Sequence, residues 1–320
     1  MQTIPKEKFE IIGVEPGAER IARPQVGYLK DVWRRFRKNK LAIVALIMLV
    51  VLAFFVIFGP AISGYSYEDV DPTSRNASPS AEHWFGTDSL GRDLFARVWQ
   101  GGRVSLIIGF LGALISATVG CLYGGISAYF GGKVDTVMMR IVEVIISIPY
   151  LIVVILFSIT FQSKGLFTLI LAMTVTGWCG TARLVRGQML QLKSQEFVLA
   201  AQALGVKPLR IIVRHMIPNT LSVIIVSITF AIPNYIFSEA FLSYIGLGVQ
   251  SPNTSWGALA SSAQTQFQFY PFQLFFPAVM IAITMLAFTM MGDGLRDALD
   301  PVSYTHLWRM TRSIFSSSIS

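Results

Sequence analysis

Six uninterrupted apolar runs leave this chain few folds to choose from. Leu41–Phe58 is 18 residues without a charge, Val104–Phe130 is 27, Val144–Ser163 is 20, Leu166–Ala182 is 17, Leu221–Ser238 is 18 and Gln273–Gly292 is 20. A helix rises 1.5 Å per residue, so about 20 residues cross the ~30 Å hydrocarbon core of a bilayer. Backbone N–H and C=O groups find no water there, so only helices or closed barrels span it. Barrel strands are about ten residues long with alternating polarity. These runs are longer and apolar on every side, so they are helices. The composition agrees: only 14% of residues are charged and 53% are apolar. Roughly 25% charge is usual in soluble proteins, so this surface must meet lipid. Disorder is excluded, because it needs low hydrophobicity and high charge. Cys121 and Cys179 lie in apolar runs without a paired spacing, which excludes a disulfide scaffold. The predicted fold is an all-α polytopic membrane protein with six transmembrane helices.

The net charge of +8 suits two readings, a nucleic-acid surface or a membrane orientation signal. The positions of the charges decide. Residues 1–40 hold ten Lys and Arg, 131–140 hold two, 183–219 hold six and 293–320 hold three. The intervening flanks hold four in 59–103, one at Lys164 and none in 248–272. Alternate flanks therefore carry 21 and 5 basic residues. The richer side is expected to be cytoplasmic, which places both termini inside and leaves no role for nucleic acid. Arg34, Arg35, Arg37, Lys38 and Lys40 crowd the first span, where the bias counts most. The first run starts too far into the chain for a cleavable leader, so it reads as a signal anchor.

The expected organisation follows. Residues 1–40 form a cytoplasmic segment in which Tyr28–Lys40, with Leu29, Val32, Trp33 and Phe36 at helical spacing, is expected to lie along the membrane interface, the alternative being a simple basic stop before the span. Residues 41–62 form the first span and 63–103 an extracytoplasmic loop. Residues 104–300 form the core domain, containing the cytoplasmic loop 183–219. Residues 301–320, rich in serine at the end, are expected to be disordered. In the outer loop, Asp88 and its acidic neighbours lack the D-x-D-x-D-G pattern of a calcium loop. A turn followed by a helix cap fits better.

The segment 183–219 carries the most information. Ser194 is placed to cap a helix with Glu196 in its first turn, where the helix dipole favours acid. Phe197, Ala200, Ala201 and Leu204 then fall at i, i+3, i+4 and i+7. Gly205 stands where a helix ends and Pro208 where another begins. Leu209, Ile212, Val213 and Met216 repeat the spacing, and Pro218 closes the segment. Two short amphipathic helices that cannot span a membrane need a partner for their apolar stripes. That partner is either another protein or the bundle itself.

Here the chain resembles a known family. Leu199-Ala200-Ala201, three residues, Gly205, nine residues and His215-Met216-Ile217-Pro218 match the spacing of the E-A-A-x3-G-x9-I-x-L-P loop of ABC importer permeases. Leu199, His215 and Ile217 depart from it in identity. Further motifs occur in the family's order: Phe85–Asp88 with Gly91–Asp93, Phe241–Gly248, Ser255–Gly257 and Gly292–Pro301. They resemble the C-type permease subunit of the oligopeptide and dipeptide branch over roughly residues 30–301. The resemblance implies the type I importer permease fold in a bacterial cytoplasmic membrane. It also implies half of a translocation pore, paired with a related B-type permease, two ATPase subunits and an extracytoplasmic peptide-binding protein. In such a system 183–219 forms a coupling helix, so Phe197, Ala200, Ala201, Leu204, Gly205 and Pro218 are the candidate site. The chain has no G-x4-G-K-[ST], so ATP and Mg2+ belong to the partners and this subunit is not itself an enzyme. A dipeptide or nickel permease is the alternative within the class.

Other readings are weaker. A stand-alone secondary transporter needs coupling-ion groups at mid-membrane and usually inverted repeats, and neither is evident. His83, His215 and His306 lie in different flanks and cannot share a metal site or a catalytic dyad. Glu143 and Glu239 are the carboxylates at membrane depth, where acids are costly and often functional. Glu143 is expected to reach water or Arg140. Glu239 either lines the solute pathway or hydrogen-bonds a neighbouring helix. Gly120, Gly124 and Ala128 form a small stripe suited to close helix packing. Pro149, Pro233 and Pro277 are expected to kink their spans.

Overall fold

The computed structural model describes residues 28–161, 165–250 and 253–299. The readings for the lead-in 1–27 and the tail 301–320 lie outside the described residues. Helix α1 is Tyr28–Phe36, α2 Lys40–Ile62, α3 Leu94–Phe130, α4 Gly132–Ser147, α5 Tyr150–Thr160 and α6 Leu166–Lys193. They are followed by α7 Glu196–Ala203, α8 Pro208–Ile211, α9 Ile217–Asn219, α10 Leu221–Tyr244, α11 Trp256–Ala263 and α12 Phe272–Leu299. Among the described residues no strand forms. Five helices (α2, α3, α6, α10 and α12) are long and apolar enough to cross a membrane, and α4 with α5 makes a sixth span if the bent pair counts as one.

That pair corrects one expectation. The run Val144–Ser163 is not one helix. The span begins at Gly132, twelve residues early, and breaks between α4 and α5 at 81°. Proline explains the position of the break. Ile148 takes an extended backbone (φ −76°, ψ 123°) and Pro149 starts the next helix as its N-cap, as a residue before proline prefers. The charges that hid the start of α4 are paired: Arg140 reaches Glu143 at 2.7 Å, both exposed, and Asp135 meets Arg186 of α6. Glu143 therefore behaves as expected. Pro233 and Pro277 lie inside α10 and α12 without ending them.

Helix α3 also exceeds its predicted run. Its 37 residues start at Leu94, inside the loop drawn as 63–103. At 1.5 Å per residue it is about 55 Å long, longer than a bilayer core requires, and its first turns, Leu94–Trp99, are buried within the bundle. Asp93 caps it through Ala96 N–H at 2.7 Å and receives His83 Nδ1 at 2.9 Å. Asp88 accepts the Leu90 and Arg92 amides and the Arg92 side chain, so the turn-and-cap reading holds. Gln273, at the start of α12, donates to Asn76 and to the Thr87 carbonyl, fastening this segment to the bundle.

The core lies where α2, α3, α10, α11 and α12 meet, around Val98, Ile108, Ile236, Leu242 and Trp256. Trp256 donates its indole N–H to the Val98 carbonyl at 2.8 Å. The small stripe of α3 packs on α6 as expected. An added Cβ at Gly124 would meet the Ala182 carbonyl oxygen at 2.3 Å, so the two backbones touch there. Helix α1 forms as predicted: Phe36 is buried with Ala42 and Ala298, while Leu29 and Trp33 stay exposed. Its packing on α2 and α12 places α1 and the described end of α12 at the same end of the bundle.

Candidate functional site

The candidate segment begins later than predicted, because α6 continues eleven residues past its apolar run to Lys193. The extension exists to bury Val185 and Met189, whose sulfur lies 3.0 Å from where a Cβ on Gly125 of α3 would stand. Ser194 is therefore not a helix start. It ends α6 and donates to the Gln191 carbonyl at 3.3 Å. The N-cap of α7 is Gln195, in extended conformation and without a side-chain cap bond, and Glu196 does occupy the first turn.

Helix α7 ends as its glycine requires. Gly205 has φ +73°. Its N–H bonds the Gln202 carbonyl at 3.0 Å, and Val206 N–H reaches back to Ala201 at 3.1 Å. This is the paired Schellman closure that left-handed glycine allows. Pro208 then stands at the first position of α8. Residues Ile212–Met216 form a π-helical turn, and α9 carries Pro218 one residue after its start. Pro218 has no N–H for the usual helical bond to the Arg214 carbonyl, and Ile217 N–H bonds Ile212 five residues back instead.

The predicted apolar stripes are redistributed. On α7 the inward residues are Val198 and Ala201, buried with Cys121, Ala128, Val185 and Met189 beneath α3 and α6. Phe197, Ala200 and Leu204 point outward, and Leu204 is 82% exposed. The expected single stripe Phe197–Ala200–Ala201–Leu204 is thus split. Ala201 anchors the helix, and the other three are presented. Beyond Pro208 the buried residues are Ile211, Ile212 and Met216, while Leu209 and Val213 are exposed. The π turn moves the repeat from four residues to five, which pairs Ile211 with Met216 and expels Val213. Pro218 is exposed, and Thr220 rather than Pro218 separates α9 from α10. Sequence reasoning missed the anchors Val198 and Ile211. The Val198–Ala201 spacing of three was a visible signal, but the larger side chains of Phe197 and Leu204 outweighed it.

The structure shows the bundle as one partner of the segment. One face of the segment packs on its own bundle, and the other is an exposed apolar surface carried by Phe197, Leu199, Leu204, Leu209 and Val213. Its base is held by ionic contacts. Asp135 of α4 accepts from Nε and Nη2 of Arg186, receives the Ser127 hydroxyl, and so binds α3, α4 and α6 together.

Glu239 does not belong to this site. It has no exposed surface, and its carboxylate accepts the hydroxyls of Ser105 at 3.0 Å, Ser243 at 2.7 Å and Ser255 at 2.6 Å. Each serine oxygen in turn accepts a backbone N–H, from Trp256, Val249 and Ala258. The side chain is a node joining α3, α10 and the start of α11. Of the two readings offered for it, helix bonding is the one the geometry supports.

Residues 85–302 match the family described as "Binding-protein-dependent transport system inner membrane component", and residues 27–79 match "N-terminal TM domain of oligopeptide transport permease C". The chain is 48% identical over 302 residues to the oligopeptide transport system permease protein OppC of Bacillus subtilis (strain 168), covering 94% of this chain and 99% of that one. It is 49% identical over 285 residues to the dipeptide transport system permease protein DppC of the same organism, covering 89% of each. Identity to OppC of Escherichia coli (strain K12) is 46% over 274 residues, covering 85% of this chain and 90% of that one. Among solved structures, an inward-facing MetNI methionine ABC transporter chain superposes with a TM-score of 0.51 at 20% identity, covering 65% of this chain and 96% of that one. That similarity supports the fold alone.

Proposed function

The chain belongs to the family of binding-protein-dependent transport system inner membrane components, and from that premise we propose that it forms half of the translocation pore of an ATP-driven oligopeptide importer. The coarser statement stands by itself. It is a multi-pass permease subunit of an ABC importer in a bacterial cytoplasmic membrane. The peptide substrate rests on the oligopeptide and dipeptide relatives.

One observation carries the mechanism: α7 is anchored by Val198 and Ala201 while Leu204 and Phe197 stand exposed at the end of the bundle. A helix lying in a protein groove needs such an arrangement, fixed on one face and apolar on the other. In this reading α7 seats in a groove of an ATPase subunit. That subunit holds ATP and Mg2+, and a second copy serves a paralogous B-type permease. Closure of the ATPase pair moves α7, and the rigid base of Asp135, Arg186 and the α3–α6 contact passes the motion into the spans. The basic asymmetry of 21 against 5 supports placing α7, α1 and the end of α12 in the cytoplasm. An extracytoplasmic binding protein then delivers peptide at the opposite end.

Reconstitution of the assembled importer in liposomes tests this. Uptake of labelled di-, tetra- and pentapeptides should require ATP and every subunit, and this chain alone should move none. The similarity to DppC makes the dipeptide arm the test of the shorter-peptide alternative. Uptake without ATPase subunits would sink the reading.

A further inference from the structure

Five hydrophilic side chains toward one end of the bundle lack partners. Gln188 of α6, Ser222, Ser227 and Asn234 of α10 and Arg296 of α12 line one groove of about 690 Å3. None of the five makes a side-chain hydrogen bond or ion pair among the described residues. Several other hydroxyls of the spans are satisfied within their own helix. Thr118, Thr229, Thr284 and Thr289 each bond the carbonyl four residues back, at 2.7–2.9 Å. Gln188, Ser222 and Arg296 lie near the helix ends, but Ser227 and Asn234 lie deeper in α10, where lipid tails offer no donor or acceptor and an unpaired polar side chain facing them is costly.

Asn234 is the most telling of the five. It is exposed and lies thirteen residues into α10, about 20 Å along the helix at 1.5 Å per residue. Ser227 lies seven residues earlier, two turns down the same face. The other large groove, about 740 Å3 beside α1 and α2, is lined by apolar side chains apart from Thr229, which bonds its own helix. The same helix α10 thus presents an apolar face to one groove, and to the other a mixed face on which Ser222, Ser227 and Asn234 stand among Val223, Val226, Phe230 and Ala231. The polar groove opens beside the end of α6 and the start of α10, next to the α7–α9 segment.

We propose that this groove is the subunit's wall of the solute path and that it binds the peptide main chain. Asn and Gln side chains each carry both donor and acceptor, so Asn234 and Gln188 match main-chain amides whatever the peptide's sequence. Arg296, three residues from the end of α12, offers a fork that fits a terminal carboxylate. No acidic side chain lines the groove. The inference rests on the peptide-importer reading above.

The test uses the complete importer in nanodiscs, in a Cys121→Ala, Cys179→Ala background. Single cysteines replace Ser227, Asn234 and, as the control on the opposite face of α10, Ile225. A charged methanethiosulfonate reagent should react at least tenfold faster with Ser227→Cys and Asn234→Cys than with Ile225→Cys. Saturating transported peptide should slow the two fast reactions. Equal, slow rates at all three positions would overturn the proposal, and so would fast rates that peptide leaves unchanged. Loss of the partner permease from Asn234→Cys would mean that the face is a subunit contact, which also overturns it. Failure of the substrate reading is distinguishable: the unmodified importer would then take up no peptide, while the reagent rates would still report whether the groove is wet.

Discussion

Arg103 on α3 donates from Nε to the Val56 carbonyl of α2 at 2.8 Å, and that carbonyl is the one Pro60 leaves without its helical N–H. Its Nη2 reaches the next carbonyl, Ile57, at 2.6 Å. A proline near the end of a span and an arginine 43 residues later are therefore one device. Arg103→Met should strand a carbonyl and destabilise the fold by about 1–3 kcal/mol, the cost of an unmet buried polar group. Pro60→Ala restores a donor, so the double variant should lose less than the sum. Thermal unfolding of the four proteins in detergent measures the coupling.

Glu239 gives a second expectation. Glu239→Leu leaves three serine hydroxyls without their acceptor, at about 1–3 kcal/mol each for buried groups, and should unfold at markedly lower temperature. Glu239→Gln keeps an acceptor oxygen for Ser243 and Ser255 and should cost only about 1 kcal/mol. Peptide uptake by Glu239→Gln should stay near the unmodified level. A tenfold loss of uptake in a stable Glu239→Gln protein would restore the pathway reading of this residue.

The segment before α3 should show one acid transition. The hydroxyls of Thr73 and Ser74 and the Thr73 N–H hold the Asp71 carboxyl down at about 2, below its ordinary 3.8. A depressed folded pKa contributes stability above the unfolded value, and that contribution is lost as pH falls from about 4 towards 2. Protection of residues 71–76 against hydrogen exchange, corrected for the pH dependence of the intrinsic rate, should fall over that range. Asp71→Asn should show the lowered protection at neutral pH and little further change in it on acidification.

Gly205 should tolerate side chains according to backbone preference alone. A Cβ there meets nothing within 4 Å, yet φ is +73°. Gly205→Ala should therefore cost about 1–2 kcal/mol, the left-handed penalty, and Gly205→Asn less. Limited proteolysis between α7 and α8 should follow that order: Ala fastest, Asn intermediate, Gly slowest.

The parts of this fold written in local chemistry were legible in the sequence. Gly205 and Pro208 marked a helix end and a helix start, Asp93 fell in the turn-and-cap segment, and the apolar runs located five spans. What escaped depended on contacts between distant residues. The start of α4 was hidden because Lys133, Asp135 and Arg140 read as a charged flank, and the partners of Asp135 are distant or on another helix: Arg186, 51 residues away, and Ser127 of α3. The face of α7 was misassigned because Phe197 and Leu204 outweighed Val198, and the face beyond Pro208 because an unbroken α-helical period was assumed across 208–216. The π turn imposes five and selects Ile211 and Met216. The groove of Gln188, Ser227 and Asn234 was present as scattered polar residues, but no local pattern says that three helices bring them together.

The most direct test of the docking face is Leu204→Glu in the assembled importer. Leu204 is 82% exposed and makes no core contact, so the subunit should fold, insert and pair with its sister permease unchanged. The account predicts that ATPase subunits are lost on purification, or that peptide-stimulated ATP hydrolysis falls at least tenfold. Full retention of ATPase subunits with normal stimulated hydrolysis would contradict it.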